Sequence, residues 1–273
     1  MLGDIFLIVL GLIWILFAVI QDLKKREIAN WLNFSLVIFA LAFRFFYCLF
    51  GNSGYSFFIQ GVMGFILFFI LGNLLYYGKV FAGGDAKLMI GLGAVIPFSE
   101  SFFLNINLVI LFFAAFLIAG ALYGIAFSFL LALKNRKNFA KEFSKQFSRK
   151  KKLFYLSWVF VALFIILSFF VSFVIYLAIV FFVLPYLYIS AKAIDEACMI
   201  KKVKTSNLTE GDWLYENIKV SRKLIKAKWE GLSKEEIKLL RKNKKEIFIR
   251  QGIPFSPVFL IGYIVLIYIY LTQ

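Results

Sequence analysis

Seven apolar stretches take up most of this chain and leave it few ways to fold. They cover residues 2–20, 31–50, 57–77, 86–98, 102–133, 153–190 and 254–271. A helix needs about 20 apolar residues to cross the hydrocarbon core of a bilayer, and most of these runs reach that length unbroken. In lipid a backbone must satisfy its own hydrogen bonds, which leaves helices or a closed barrel. A barrel would show alternation in blocks of about 10 residues, and these runs do not. Composition agrees: 62% of the 273 residues are hydrophobic, against roughly 45–50% in a soluble domain. The first run follows Asp4 and no basic segment, so residues 1–21 are expected to be a retained span, not a cleaved signal peptide.

Two runs have the wrong length for one span. Residues 86–98 are too few, and Gly83-Gly84 precede them, so a short helix starting inside protein is expected there. Residues 153–190 number 38, which suits two tightly joined spans better than one. Charge decides the second case. The stretch 134–152 holds nine Lys/Arg and one acid, and 191–251 holds sixteen Lys/Arg and nine acids. Basic loops stay on the cytoplasmic side, which puts both stretches there only if 153–190 is a hairpin. Eight spans follow, with both termini outside. The basic turn after the first span, with Lys24, Lys25 and Arg26, is then cytoplasmic, and so is the segment with Lys79, Asp85 and Lys87.

The predicted fold class is therefore an all-α polytopic membrane protein of about eight transmembrane helices, one of them short, with a small cytosolic α+β domain. The expected divisions are a membrane core at 1–133, a basic cytoplasmic loop at 134–152, an inserted hairpin at 153–190, a cytosolic domain at 191–252 and a last span at 253–273. In the cytosolic part, Ser233 and Glu236 have the spacing of a capping box, with Leu232 and Ile237 as its hydrophobic staple. Residues 246–250 alternate like a strand. Gly61, Gly64 and Gly72 have the spacing of close helix packing. Arg44, toward the outer end of its span, is expected to snorkel or to pair with Asp4.

The net charge of +16 lies in the segments between spans, so it marks topology and not nucleic-acid binding. The stretch 134–152 is a candidate for contact with anionic lipid headgroups. Cys48 and Cys198 are the only cysteines and there is no histidine, which excludes His-based catalysis and the usual zinc sites. No cofactor and no metal are expected.

Asp22 closes the first apolar run and Asp85 opens the fourth. An ionisable residue at a membrane boundary is costly and marks function. On the topology above the two share one face. Two adjacent carboxyls that share a proton can activate a water with one group and protonate a carbonyl with the other, which is aspartyl proteolysis. Asp85 at a helix N-terminus is expected to be the more ionised partner, and Asp22 at a helix C-terminus the more protonated. Gly83 and Gly84 would let a substrate backbone approach Asp85. Lys87 is placed to tune Asp85, hold a carbonyl or snorkel. Arg26 and Asn30 are placed to orient the Asp22 turn, or to serve as a topology charge and a helix cap.

These stretches together resemble the type IV prepilin peptidase family, in particular its archaeal prepilin and preflagellin (archaellin) peptidases, intramembrane aspartyl enzymes of the Gly-x-Gly-Asp group. The matching residues are Asp22 to Trp31, Gly83-Gly84-Asp85-Ala86-Lys87-Leu88 and Gly252-Ile253-Pro254-Phe255-Ser256-Pro257, and 209–213 and 231–236 also resemble the soluble domain of the archaeal members. The resemblance implies Asp22 and Asp85 as catalytic residues. It also implies, as substrate, the short basic leader of a pilin or archaellin precursor, cut at the cytoplasmic face of the cell membrane. Ala82 stands where the strict motif has Gly. The cysteine-rich segment of many bacterial members is absent, so no methyltransferase activity is expected. The competing readings are an ion- or proton-coupled transporter and a non-catalytic scaffold for pilus assembly. Both aspartates at one face, with no inverted repeat, suit cleavage better than passage across.

Overall fold

A computed structural model describes residues 2–51, 54–220 and 223–272. Ten α-helices occur among them: α1 (Leu2–Lys25), α2 (Asn30–Phe50), α3 (Ser56–Tyr77), α4 (Gly83–Gly93), α5 (Phe102–Lys134), α6 (Arg136–Arg149), α7 (Lys151–Ser168), α8 (Ile175–Cys198), α9 (Lys234–Asn243) and α10 (Ser256–Thr272). Five short strands lie between α8 and α10: β1 (Ile200–Lys204), β2 (Trp213–Leu214), β3 (Ile218–Val220), β4 (Lys223–Ile225) and β5 (Glu246–Arg250). Six helices (α1, α2, α3, α5, α7 and α8) are long and apolar enough to cross a membrane, and α10 is a shorter apolar helix. With the 11-residue α4 the apolar helices are eight, one of them short, in a multi-pass membrane protein. The long run 153–190 folds as two helices, α7 and α8, joined through a 3-10 turn at Ser172–Val174.

The chain divides into two compact units, Met1–Gly124 with Ile253–Gln273, and Ile125–Gly252. In the first unit, α4 packs antiparallel against α3 through a row of glycines. A Cβ on Gly64 would lie 2.4 Å from the Gly93 carbonyl, and one on Gly72 would lie 2.7 Å from the Ile90 side chain. Small residues let membrane helices approach until their backbones touch, where dispersion and not water exclusion holds them. Gly64→Ala is therefore expected to lower stability by about 1–3 kcal/mol through overpacking. Thermal denaturation of the purified protein in detergent measures this, with Gly124→Ala as a control that should not destabilise, because nothing lies within 4 Å of that position and alanine suits a helix interior better than glycine.

An 11-residue helix spans only about 16 Å, so α4 must end inside the protein. Its last turn and the segment after it are buried, with Leu92, Ala94, Val95 and Ile96 at 0% exposure. The carbonyls there need donors, and Arg44 of α2 supplies them. Its Nε donates to Ala94 O at 3.0 Å, Nη1 to Phe57 O at 2.8 Å, and Nη2 to Val95 O at 3.2 Å and to Pro97 O. The guanidinium lies over the Phe57 ring, and Gly61 leaves the room, since a Cβ there would be 2.3 Å from Arg44 Cδ. Arg44 thus neither snorkels nor pairs with Asp4, whose carboxylate takes the Tyr270 hydroxyl instead. A fork of donors buried among free carbonyls satisfies them without leaving the protein.

In the second unit, α7 and α8 are antiparallel. Pro185 interrupts the α8 ladder and leaves the Phe181 carbonyl without its usual donor. The Ser157 hydroxyl of α7 donates to that carbonyl and repairs the gap. The basic stretch between α5 and α7 folds as α6, whose Phe139, Phe143 and Phe147 recur at four-residue spacing on one face. The sheet order is β1-β5-β2, all antiparallel, with β3-β4 as a separate ribbon. Arg250 of β5 ties the sheet to the end of α8 through Asp195 at 3.3 Å and Glu196 at 3.1 Å. Leu232, Ile237 and Leu240 fill a small core with Ile247 and Ile249, and the Ser233–Glu236 capping box opens α9. Cys198 is buried in the last turn of α8.

Candidate active site

The end of α1 carries Asp22. The helix stops at Arg26, which takes the left-handed conformation (φ 59°) and donates its N–H to Asp22 O at 2.8 Å. The turn that follows is pinned by Gln21, whose Oε1 accepts the Ala29 N–H at 2.9 Å. Its apolar residue, Ile28, is 5% exposed and packs inward. Arg26 therefore shapes the turn after Asp22. Asn30 is the first residue of α2, and the N-cap is Ala29, so Asn30 does not cap. Its Oδ1 accepts the Lys87 ammonium at 2.6 Å. Lys87 thereby fastens α4 to the start of α2.

Asp22 itself is buried, at 8% exposure. Its Oδ2 accepts the backbone N–H of Ser256 at 3.1 Å. Ser256 is the first residue of α10, so the carboxylate sits against a helix N-terminus, where free N–H groups and the dipole suit an anion. This corrects the reading from helix ends. Asp22 closes one helix but also meets the start of another, so helix polarity no longer separates the two carboxyls. Ser256 is fully buried and its hydroxyl has no hydrogen-bond partner.

Asp85 is the third residue of α4 and is half-buried. The carboxyl accepts from the backbone N–H of Ala82 and lies within electrostatic reach of Asp22. Ala82 is the N-cap, with φ −69° and ψ 160°, an extended conformation open to any residue. Alanine in place of the motif's first glycine therefore costs nothing in backbone strain. Gly84 is needed for a close approach, since a Cβ there would be 3.3 Å from Ile28 Cβ. Gly83 would meet only the Tyr76 ring, at 3.7 Å, an ordinary contact.

The start of α10 gathers the two carboxyl-bearing segments. Asp22 reaches it through Ser256, and the segment before α4 reaches it through Phe81, whose ring centroid is 6.1 Å from that of Phe255 and 6.0 Å from that of Phe259. Phe116 of α5 completes this aromatic cluster. Tyr123, also on α5, lies within electrostatic reach of Asp22 and Arg26. Sequence reasoning missed Gln21, Ile28, Tyr123 and the backbone of Ser256. Two of them carried a signal, Ile28 by its place in the Asp22–Trp31 stretch and Ser256 by its place in the Gly252–Pro257 stretch. Two carboxyls within electrostatic reach of each other, each held by a backbone donor, can position a water and share a proton.

Residues 9–125 match the type IV leader peptidase family, and this range contains both aspartates. The preflagellin peptidase of Methanococcus maripaludis is 30% identical over 140 residues, 49% of this chain and 60% of that protein. The preflagellin peptidase of Methanocaldococcus jannaschii is 43% identical over 89 residues, 33% of this chain and 37% of that protein. That of Methanococcus voltae is 35% identical over 88 residues, 32% of this chain and 37% of that protein. The chain thus matches less than two thirds of the length of each of these relatives. No solved structure matches it. The similarity to the type IV leader peptidase family thus rests on residues 9–125, with both aspartates inside.

Proposed function

We propose that this protein is an aspartyl endopeptidase of the cell membrane. It removes the short basic leader from pilin or archaellin precursors at the cytoplasmic face, with Asp22 and Asp85 as the catalytic pair. The observation that carries the reading is that the two carboxyls lie within electrostatic reach of each other, inside the matched region. One carboxylate takes a proton from a water between them, and the other donates to the scissile carbonyl. The exposed Ala82 and the bare Gly83 leave space beside Asp85 for a substrate backbone. Lys24, Lys25, Arg26, Lys79 and Lys87 flank the two aspartates in sequence, which supports a cytoplasmic site by the positive-inside bias. Peptidase activity alone is proposed, and anionic lipids are proposed partners of the basic stretch 134–152.

The test uses purified protein in detergent with a precursor that carries its leader and its hydrophobic helix. Intact mass of the product is expected to show loss of the basic leader alone. An uncut precursor, with an ion flux through the protein in liposomes, would replace this reading with transport.

The backbone donor to Asp22 makes a separate prediction. Ser256→Pro removes the N–H at a first helical position, where proline is otherwise tolerated. It is expected to slow cleavage about tenfold, since a hydrogen bond to a charged group is worth about 1.5–3 kcal/mol. Ser256→Ala keeps the N–H and removes an unpartnered hydroxyl, so its cleavage rate should stay near wild type. Equal rates for the two variants would show that the bond does not matter.

A further inference from the structure

Between α7 and α8 lies an open groove with a cavity of about 940 Å³. That is near the top of the roughly 300–1,000 Å³ range of ligand clefts. One end is basic, formed by Arg149, Lys150, Lys151 and Lys152, and the rest is apolar, walled by Leu156, Phe160, Phe181 and Leu184. We propose that this groove binds one anionic membrane lipid, with its phosphate at Lys150–Lys152 and one hydrocarbon chain along the apolar wall. The proposal does not depend on the peptidase reading.

Charge complementarity singles out this occupant. The first turn of α7 has no acidic residue and starts with two lysines. Cations at a helix N-terminus oppose the dipole, and an anion among them relieves the opposition and meets free N–H groups. Lys150, Lys151 and Lys152 make no ion pair among the described residues; Glu142, the one acid of this stretch, pairs with Lys145. A further cation, Lys192, lies over the ring of Tyr188, which also lines the groove.

Length agrees as well. From Lys152 to Phe160 the helix rises about 12 Å. One leaflet of the hydrocarbon core is about 15 Å deep. A headgroup at the lysines therefore places its chain along the whole apolar wall. A soluble anion would leave that wall uncovered, and a zwitterionic lipid would leave the lysines without a net counter-charge.

Native mass spectrometry of the intact protein tests this with phosphatidylglycerol and phosphatidylcholine of the same chains. Each basic residue near an anionic surface is worth about fivefold in binding. Wild type should therefore retain phosphatidylglycerol at least tenfold better. Lys150→Gln, Lys151→Gln and Lys152→Gln combined should abolish that preference. Leu184→Trp, which fills the groove and leaves every charge in place, should weaken retention of both lipids, with helix content by circular dichroism unchanged. Glycerol phosphate should not displace the lipid. Equal retention of the two lipids by wild type, a preference that survives the triple variant, or full displacement by glycerol phosphate would each overturn the proposal.

Discussion

Arg44→Leu is expected to lower stability by about 3 kcal/mol or more, the largest structural effect of any single change considered. The reason is local. Leucine fills similar space but donates nothing, and it strands the buried carbonyls of Ala94, Val95 and Pro97. Each buried acceptor left unpaired costs about 1–3 kcal/mol. Part of that is offset because no charge is buried any longer. Arg44→Lys should fall between, because one ammonium cannot reproduce a planar fork that reaches several carbonyls. Thermal unfolding of the purified proteins in detergent ranks the three. The end of α4 is what moves, and Asp85 lies at its start, so activity should fall together with stability. A leucine variant as stable as wild type would show that those carbonyls find other donors.

Asp85→Asn and Asp22→Asn should each reduce cleavage at least about 1,000-fold, within the range for loss of a general acid or base. Asparagine keeps the shape of the side chain and loses the ability to exchange a proton. At position 22 the amide oxygen can still accept the Ser256 N–H, so the start of α10 stays seated and the loss is chemical. Residues that work on one water act as a unit, so the double variant should be no slower than either single one. Circular dichroism and elution volume should not change.

The membrane part was legible because length carries it. Runs of apolar residues marked the spans, and charge on both sides of 153–190 divided that run into the pair that became α7 and α8. Ser233 and Glu236 were legible because a capping box is made by side chains three residues apart. The two aspartates were legible because a carboxyl at a membrane boundary is unusual. Arg44 was not, because its partners are backbone carbonyls, those of Ala94, Val95 and Pro97 some fifty residues away, and a carbonyl leaves no mark in sequence. The hold of Ser256 on Asp22 was hidden for the same reason, a backbone N–H met across 234 residues. The two-residue β2 and three-residue β3 and β4 are too short for alternation to show. Helix α6 was masked by its charge, although Phe139, Phe143 and Phe147 hold its spacing.

The most direct measurement is the intact mass of a leader-bearing precursor after incubation with wild type, Asp22→Asn and Asp85→Asn, all three purified and folded. The expected result is leader loss with wild type alone. Cleavage at the wild-type rate by either variant would contradict a catalytic pair.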